Sequence, residues 1–133
     1  GFATLGMRSE PLMAGLAWRA VQEDFLAGCT PQSITNTAWA FATLGVPNEA
    51  LMMAFAARAL HERFLDRFNA QNIGNLAWAF ASLNLWHEPL MEGMARQVLE
   101  GGFLSSCATQ NVANVAWAFA TLRSRNEALM AGL

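Results

Sequence analysis

Charge is scarce in this chain of 133 residues: Asp, Glu, Lys and Arg supply 14% of it, and the formal balance is −2. With a pI near 5.6 there is no bulk attraction for a polyanion, the electrostatic footprint that basic nucleic-acid-binding domains carry. No uninterrupted apolar run approaches the roughly 18 residues a membrane-spanning helix needs, so no membrane role is expected. The start shows no charged and apolar leader, which an internal fragment would not carry anyway. A glycine-rich phosphate loop is missing, His61-Glu62 does not continue into the two-histidine zinc helix, and neither cysteine has a metal-like partner spacing. These absences argue against an enzyme, a metal site, a cofactor or a small-molecule substrate. Disorder is argued against as well, because 54% of the residues are hydrophobic.

What the chain does have is one phrase repeated. Asn36-Thr37-Ala38-Trp39-Ala40-Phe41-Ala42-Thr43-Leu44 returns as Asn75 to Leu83 and as Asn114 to Leu122, and Phe2-Ala3-Thr4-Leu5 is a stub of it. Trp39, Trp78 and Trp117 stand 39 residues apart, with no gap needed. A strict period of this size marks stacked units that bury apolar faces against their neighbours. The expected fold is all-α: a right-handed α-solenoid of antiparallel helix pairs, armadillo-, HEAT- or octotricopeptide-like. Units are expected at about 8–46, 47–85 and 86–124, with partial units at 1–7 and 125–133. Apolar residues at both ends (Phe2, Leu5, Leu129, Met130, Leu133) suggest a piece of a longer array.

Each unit is expected to hold two helices. The first helices open at Ser9-Glu10-Pro11, Asn48-Glu49-Ala50, His87-Glu88-Pro89 and Asn126-Glu127-Ala128, where a capping side chain precedes an acidic first turn. They are expected to run to about Leu26, Leu65 and Leu99, with Gly101-Gly102 loosening the third. Leu12, Leu16 and Ala20 give the first of them an apolar face, and Phe25, Phe64 and Phe103 are expected in the core. The second helices open at Thr30-Pro31-Gln32, Asn69-Ala70-Gln71 and Ala108-Thr109-Gln110, the third lacking a capper at the matching place. Cys29 and Cys107 share a repeat position two units apart. Helix layers about 8–10 Å thick would separate them by roughly 20 Å, beyond the about 7 Å reach of a disulfide, so both are expected as buried free thiols.

Comparing the copies sorts the candidate residues. Ile34, Ala38, Phe41 and Leu44 keep their type at helical spacing and are packing positions. Trp39, Trp78 and Trp117 suit stacking on bases, but their setting among alanines favours filling the gap between units. A polar stripe reads Ser33, Asn36, Thr43, then Asn72, Asn75, Ser82, then Asn111, Asn114, Thr121; amides can read base edges or hold an extended backbone. The unvarying Asn36, Asn75 and Asn114 suit a structural or backbone-holding role, and Ser33, Asn72 and Asn111 are the better ligand candidates. A variable stripe on the first helices reads Ala14, Trp18, Gln22, then Met53, Ala57, His61, then Glu92, Arg96, Glu100. It is either a partner-reading surface, with Trp18, Gln22, His61 and Arg96 as candidates, or a solvated face. Arg58, Arg63, Arg67, Arg123 and Arg125 are the other basic candidates, beside Glu62, Asp66 and Glu127.

The unit from Pro47-Asn48-Glu49-Ala50-Leu51 to Gln71-Asn72-Ile73-Gly74-Asn75-Leu76-Ala77-Trp78-Ala79 resembles the octotricopeptide repeat. It is similar also to the helical-repeat domain of subunit six of the RNA-editing substrate-binding complex. These resemblances imply an organellar setting (mitochondrion or plastid), with single-stranded RNA and other proteins of an RNA-processing complex as partners, and no cofactor. Armadillo repeats place a peptide-holding asparagine four residues after a tryptophan; here Thr43, Ser82 and Thr121 stand there. The expectation is an RNA-binding scaffold, with a protein-interaction scaffold using the variable stripe as its rival.

Overall fold

The computed structural model describes residues 10–46, 48–100 and 109–130, and side chains over 11–46, 48–100 and 111–123. The expectations placed on Phe2, Leu5, Ser9, Gly101, Gly102, Phe103, Cys107 and Leu133 lie outside them. The described residues are all-helical, without a strand: α1 (Glu10–Ala20), α2 (Glu23–Ala27), α3 (Pro31–Thr43), α4 (Glu49–Leu60), a 3₁₀ helix (His61–Arg67), α5 (Ala70–Ser82), α6 (Glu88–Glu100) and α7 (Thr109–Met130).

The helices that carry the recurring phrase lie side by side, α3 on α5 and α5 on α7, while α1, α4 and α6 contact one another in that order. Their starts follow from their caps. The Thr30 side chain accepts from the Ser33 amide and Asn69 from the Asn72 amide, and each partner side chain bonds back to the cap's own N–H. Such reciprocal boxes satisfy two of the orphan donors at a helix start. Asn48 caps α4 through Leu51 N–H, and His87 Nδ1 accepts from Leu90 N–H at 3.1 Å.

Ends follow equally local chemistry. After α3, Gly45 takes φ 67°, its N–H bonds to the Ala42 carbonyl, and Val46 N–H reaches Phe41 O at 2.9 Å. After α5, Asn84 at φ 58° and Leu85 repeat the same pair of bonds to Ala81 and Phe80. This is a Schellman ending, which needs a residue tolerant of the left-handed region. The third copy puts Arg123 there, a residue that enters the left-handed region less readily than glycine or asparagine, and α7 runs straight through to Met130. The expected helix start at Asn126-Glu127-Ala128 is therefore replaced by continuation of α7.

Two of the first helices are shorter than expected, while α6 reaches Glu100, close to the expected end. α1 stops at Ala20, and Gln22 is extended at ψ 137°. The Gln22 side chain donates to the Trp18 carbonyl at 3.0 Å, taking the acceptor that a continued helix would use for the residue 22 amide. α4 stops at Leu60, and within the 3₁₀ helix that follows Glu62 and Arg63 adopt φ 50° and 60°; no glycine or proline marks that break.

The apolar face of α1 also differs by a step: Met13, Ala17 and Ala20 are buried while Leu12 and Leu16 are exposed. Phe64 is buried, in edge contact with Phe68 at 5.6 Å. Phe25, expected in the core, is exposed, because Cys29 occupies the place of Phe68 and offers no ring to lean on. Cys29 itself is a buried free thiol.

A side chain one unit ahead ties down each of the two corners that lie among the described residues. Arg58 Nε donates to Leu26 O at 3.0 Å and its Nη2 to Ala27 O, with the guanidinium 4.2 Å from the Phe64 ring centroid. Gln97, 39 residues on, donates to Asp66 O at 3.1 Å and to Phe68 O. Replacing Arg58 by alanine is expected to destabilise by about 1–3 kcal/mol, as for a hydrogen bond from a charged donor. Arg63→Ala removes only an exposed pair with Asp66 and should change stability by under about 1 kcal/mol. Urea titration of both variants checks the contrast.

Candidate functional site

One face of α3, α5 and α7 is lined by the same side chains in each copy. On α3 Gln32, Asn36, Trp39 and Thr43 are all exposed; on α5 Gln71 and Ser82 are exposed and Asn75 and Trp78 half-buried. On α7 Asn114 and Thr121 are half-buried and Trp117 is exposed. Helical spacing explains the grouping: positions 32, 36, 39 and 43 share a side, whereas Ile34, Ala38 and Phe41 point to the core. Trp39 is 47% and Trp117 46% accessible, so these indoles are not interior filling. The Trp39 and Trp78 rings nevertheless touch, their centroids 6.3 Å apart and planes tilted by 32°. The expectation of packing between units thus holds for part of the Trp39 and Trp78 indoles, and nearly half of Trp39 and of Trp117 is open.

The face is uncharged. α3, α5 and α7 up to Leu122 contain no Asp, Glu, Lys or Arg; all acidic residues but Glu127 lie in α1, α2, α4, the 3₁₀ helix and α6. The net negative charge therefore belongs to the other row of helices. Neither Asn36 nor Asn75 makes a side-chain hydrogen bond among the described residues, which leaves their amides able to donate and accept. Asn114 is engaged within the protein, and its Cβ lies 3.5 Å from where a methyl on Gly74 would stand. Close approach of α5 and α7 at Gly74 accounts for its partial burial.

Ser33 and Asn72, the favoured ligand candidates, are committed to helix starts. Ser33 Oγ accepts from Thr30 N–H at 2.9 Å, and Asn72 Oδ1 accepts from Asn69 N–H at 3.0 Å. Asn111 is half-buried near the start of α7, its carbonyl oxygen also beside Gly74.

The variable stripe lies on the other row. Trp18 is exposed, Gln22 is held by its own bond to Trp18 O, His61 contacts Glu62 at 3.4 Å, and Arg96 is exposed. Two open grooves recur there with the 39-residue interval. One of about 460 Å³ is walled by Leu26, Ala27, Ala54, Ala57, Arg58 and His61. The matching one, about 250 Å³, is walled by Leu65, Asp66, Gly93, Arg96, Gln97 and Glu100. Arg58 and Gln97, which tie the corners, form part of each wall. At the near end of this row the hydrogen bond from Arg19 holds the Asp24 carboxyl below its ordinary range, against a small opposing effect of desolvation.

The open indoles were within reach of the sequence, since Trp39 falls between Asn36 and Thr43 on their own stripe. The corner ties and the grooves carry no local signal, because they join residues about one unit apart. Among the described residues no three His, Cys, Asp or Glu side chains gather as a metal group, and no helix is long and apolar enough to cross a membrane. No family model, no curated protein and no solved structure matches the chain.

Proposed function

We propose that the chain is a right-handed α-solenoid with a 39-residue unit that serves, without catalysis or cofactor, as an RNA-binding scaffold of an RNA-processing complex. The observation that carries this reading is the uncharged row of amide, indole and hydroxyl groups presented by three successive helices with the same residue types. Unpaired bases are flat, apolar on their faces and rich in donors and acceptors at their edges, which suits indole stacking combined with amide contacts. Apart from Glu127, the acidic residues stand on the other helices and do not oppose a strand lying on this face. Asn36 and Asn75 are the amides to bond it, with Asn114, Ser33, Asn72 and Asn111 beside them. An organellar setting, mitochondrial or plastid, is part of the proposal through the resemblance alone.

The test is titration of a fluorescently labelled single-stranded RNA across salt concentrations. Each phosphate neutralised on a single strand contributes about −0.7 to the slope of log K against log salt. A face with no cation before Arg123 is expected to give a slope shallower than about −2 on that scale. A steep slope would move the contact to the arginines of the other row. No binding at the lowest salt would sink direct RNA recognition.

The second reading, a protein-interaction scaffold, draws on the recurring grooves. Their apolar and charged linings suit different side chains of one extended segment. Filling the first with Ala57→Trp should abolish such binding and leave RNA affinity unchanged, which pull-down from an extract and the RNA titration together decide.

A further inference from the structure

The face shared by α3, α5 and α7 carries the same groups in every copy. Gln32, Asn36, Trp39 and Thr43 recur as Gln71, Asn75, Trp78 and Ser82 and as Gln110, Asn114, Trp117 and Thr121, so amide, indole and hydroxyl stand in one order three times. The middle copy decides what the array leaves open, because α5 has α3 on one side and α7 on the other. There Gln71 and Ser82 are exposed, and Asn75 and Trp78 are half-buried. The Asn75 amide makes no side-chain hydrogen bond among the described residues, and among those residues no side-chain nitrogen or oxygen is buried without a partner. Its donor and its acceptor therefore reach solvent between two flanking helices.

Granted the RNA-binding reading, on which this rests, we propose that the strand taken by this face is a tract of one repeated base, adenine. Equal groups in successive units set equal preferences, so a mixed sequence satisfies only some of them. The choice of base follows from the groups present and absent. An amide sets one donor beside one acceptor, the pattern that pairs bidentately with adenine N6 and N7. Guanine O6 and N7 are both acceptors and take arginine or lysine, and cytosine N4 takes a carboxylate. α3, α5 and α7 up to Leu122 carry none of these side chains. Uracil can meet an amide through its own donor and acceptor, but its single ring covers less of an indole, and stacking strength sets preference where bases are held by their faces. Adenine satisfies both the amide and the indole.

Fluorescence anisotropy of the intact chain with labelled RNA strands of equal length, at one low salt concentration, is the test. Oligo(A) should bind roughly tenfold or more tighter than oligo(U) or a mixed-sequence strand. A tract of purine riboside keeps both rings and lacks the N6 amino group. It should bind severalfold more weakly than oligo(A), since the amide oxygen then has no donor to accept from. Asn36→Asp, at an exposed position, replaces the amide donor by a second acceptor and should narrow the gap between oligo(A) and oligo(U); repulsion of phosphate acts on both strands alike. Oligo(U) or the mixed strand binding as tightly as oligo(A) overturns the adenine assignment and leaves RNA binding standing. A purine riboside tract that equals oligo(A) overturns the amide contact on which the assignment depends. If none of the strands binds, the RNA reading falls and the assignment with it.

Discussion

Replacing Phe80 by alanine is expected to remove about 3–5 kcal/mol of stability, the usual cost of emptying a fully buried aromatic site. The ring is inaccessible to solvent, and it projects from the helix that touches both α3 and α7. A residual cavity at that position has neighbours on every side, none of them at a free surface where collapse is easy. Small domains hold only about 5–15 kcal/mol in total, so the loss is a large part of what holds the array together. The repeat supplies its own control. Phe119 is the same residue one unit later, half-buried beside an open groove, and Phe119→Ala should cost about half as much or less, since burial sets the transfer term. Urea midpoints with unchanged slopes for both variants would establish the contrast; equal losses would mean that the two positions are equally enclosed.

Removing the indoles is expected to have the largest effect on binding. A stacked base contributes about 1–3 kcal/mol per aromatic by alanine substitution, so Trp39→Ala and Trp117→Ala should each weaken single-stranded RNA binding by roughly five- to hundredfold. Both side chains are nearly half open, and stability should fall less than for Phe80→Ala. Trp78→Ala carries more risk to folding, because its ring is half-buried and faces Trp39. Asn36→Ala and Asn75→Ala test base-edge contacts separately from stacking. If wild-type protein binds RNA and Trp39→Ala with Trp117→Ala binds it equally well, the stacking role is wrong and the contact lies elsewhere.

The helix starts were legible in the sequence because caps are local. Thr30, Asn48, Asn69 and His87 each stand where their side chain meets an amide three residues on. The end of α7 was not, because the decisive residue is the one missing: Arg123 takes the place of Gly45 and Asn84, and the turn disappears with their left-handed geometry. Leu12 and Leu16 show a second limit. They have the right residue types for a core, and α4 and α6 bury the same positions, yet burial of a stacked helix depends on a neighbour that periodicity within the helix does not describe. Phe25 shows a third, since its enclosure depends on whether Cys29 or a phenylalanine follows four residues on. Ser33 and Asn72 looked available for ligand because their spacing suits a surface, while the same spacing makes them partners of the caps. Asn36 and Asn75 never vary, which suits a structural or backbone-holding role while leaving them candidates, and their amides stay unengaged among the described residues.

The paired indoles of Trp39 and Trp78 have a spectroscopic consequence. The chain contains five tryptophans and no tyrosine, so its ultraviolet emission is almost wholly indole in origin. Two rings 6.3 Å apart and inclined by 32° couple their transition dipoles, and circular dichroism in the indole bands should carry a couplet that Trp39→Phe or Trp78→Phe abolishes. That signal reports the register of α3 against α5 directly. A slip between neighbouring helices would thus be visible in the light absorbed, before any loss of helix content is measured.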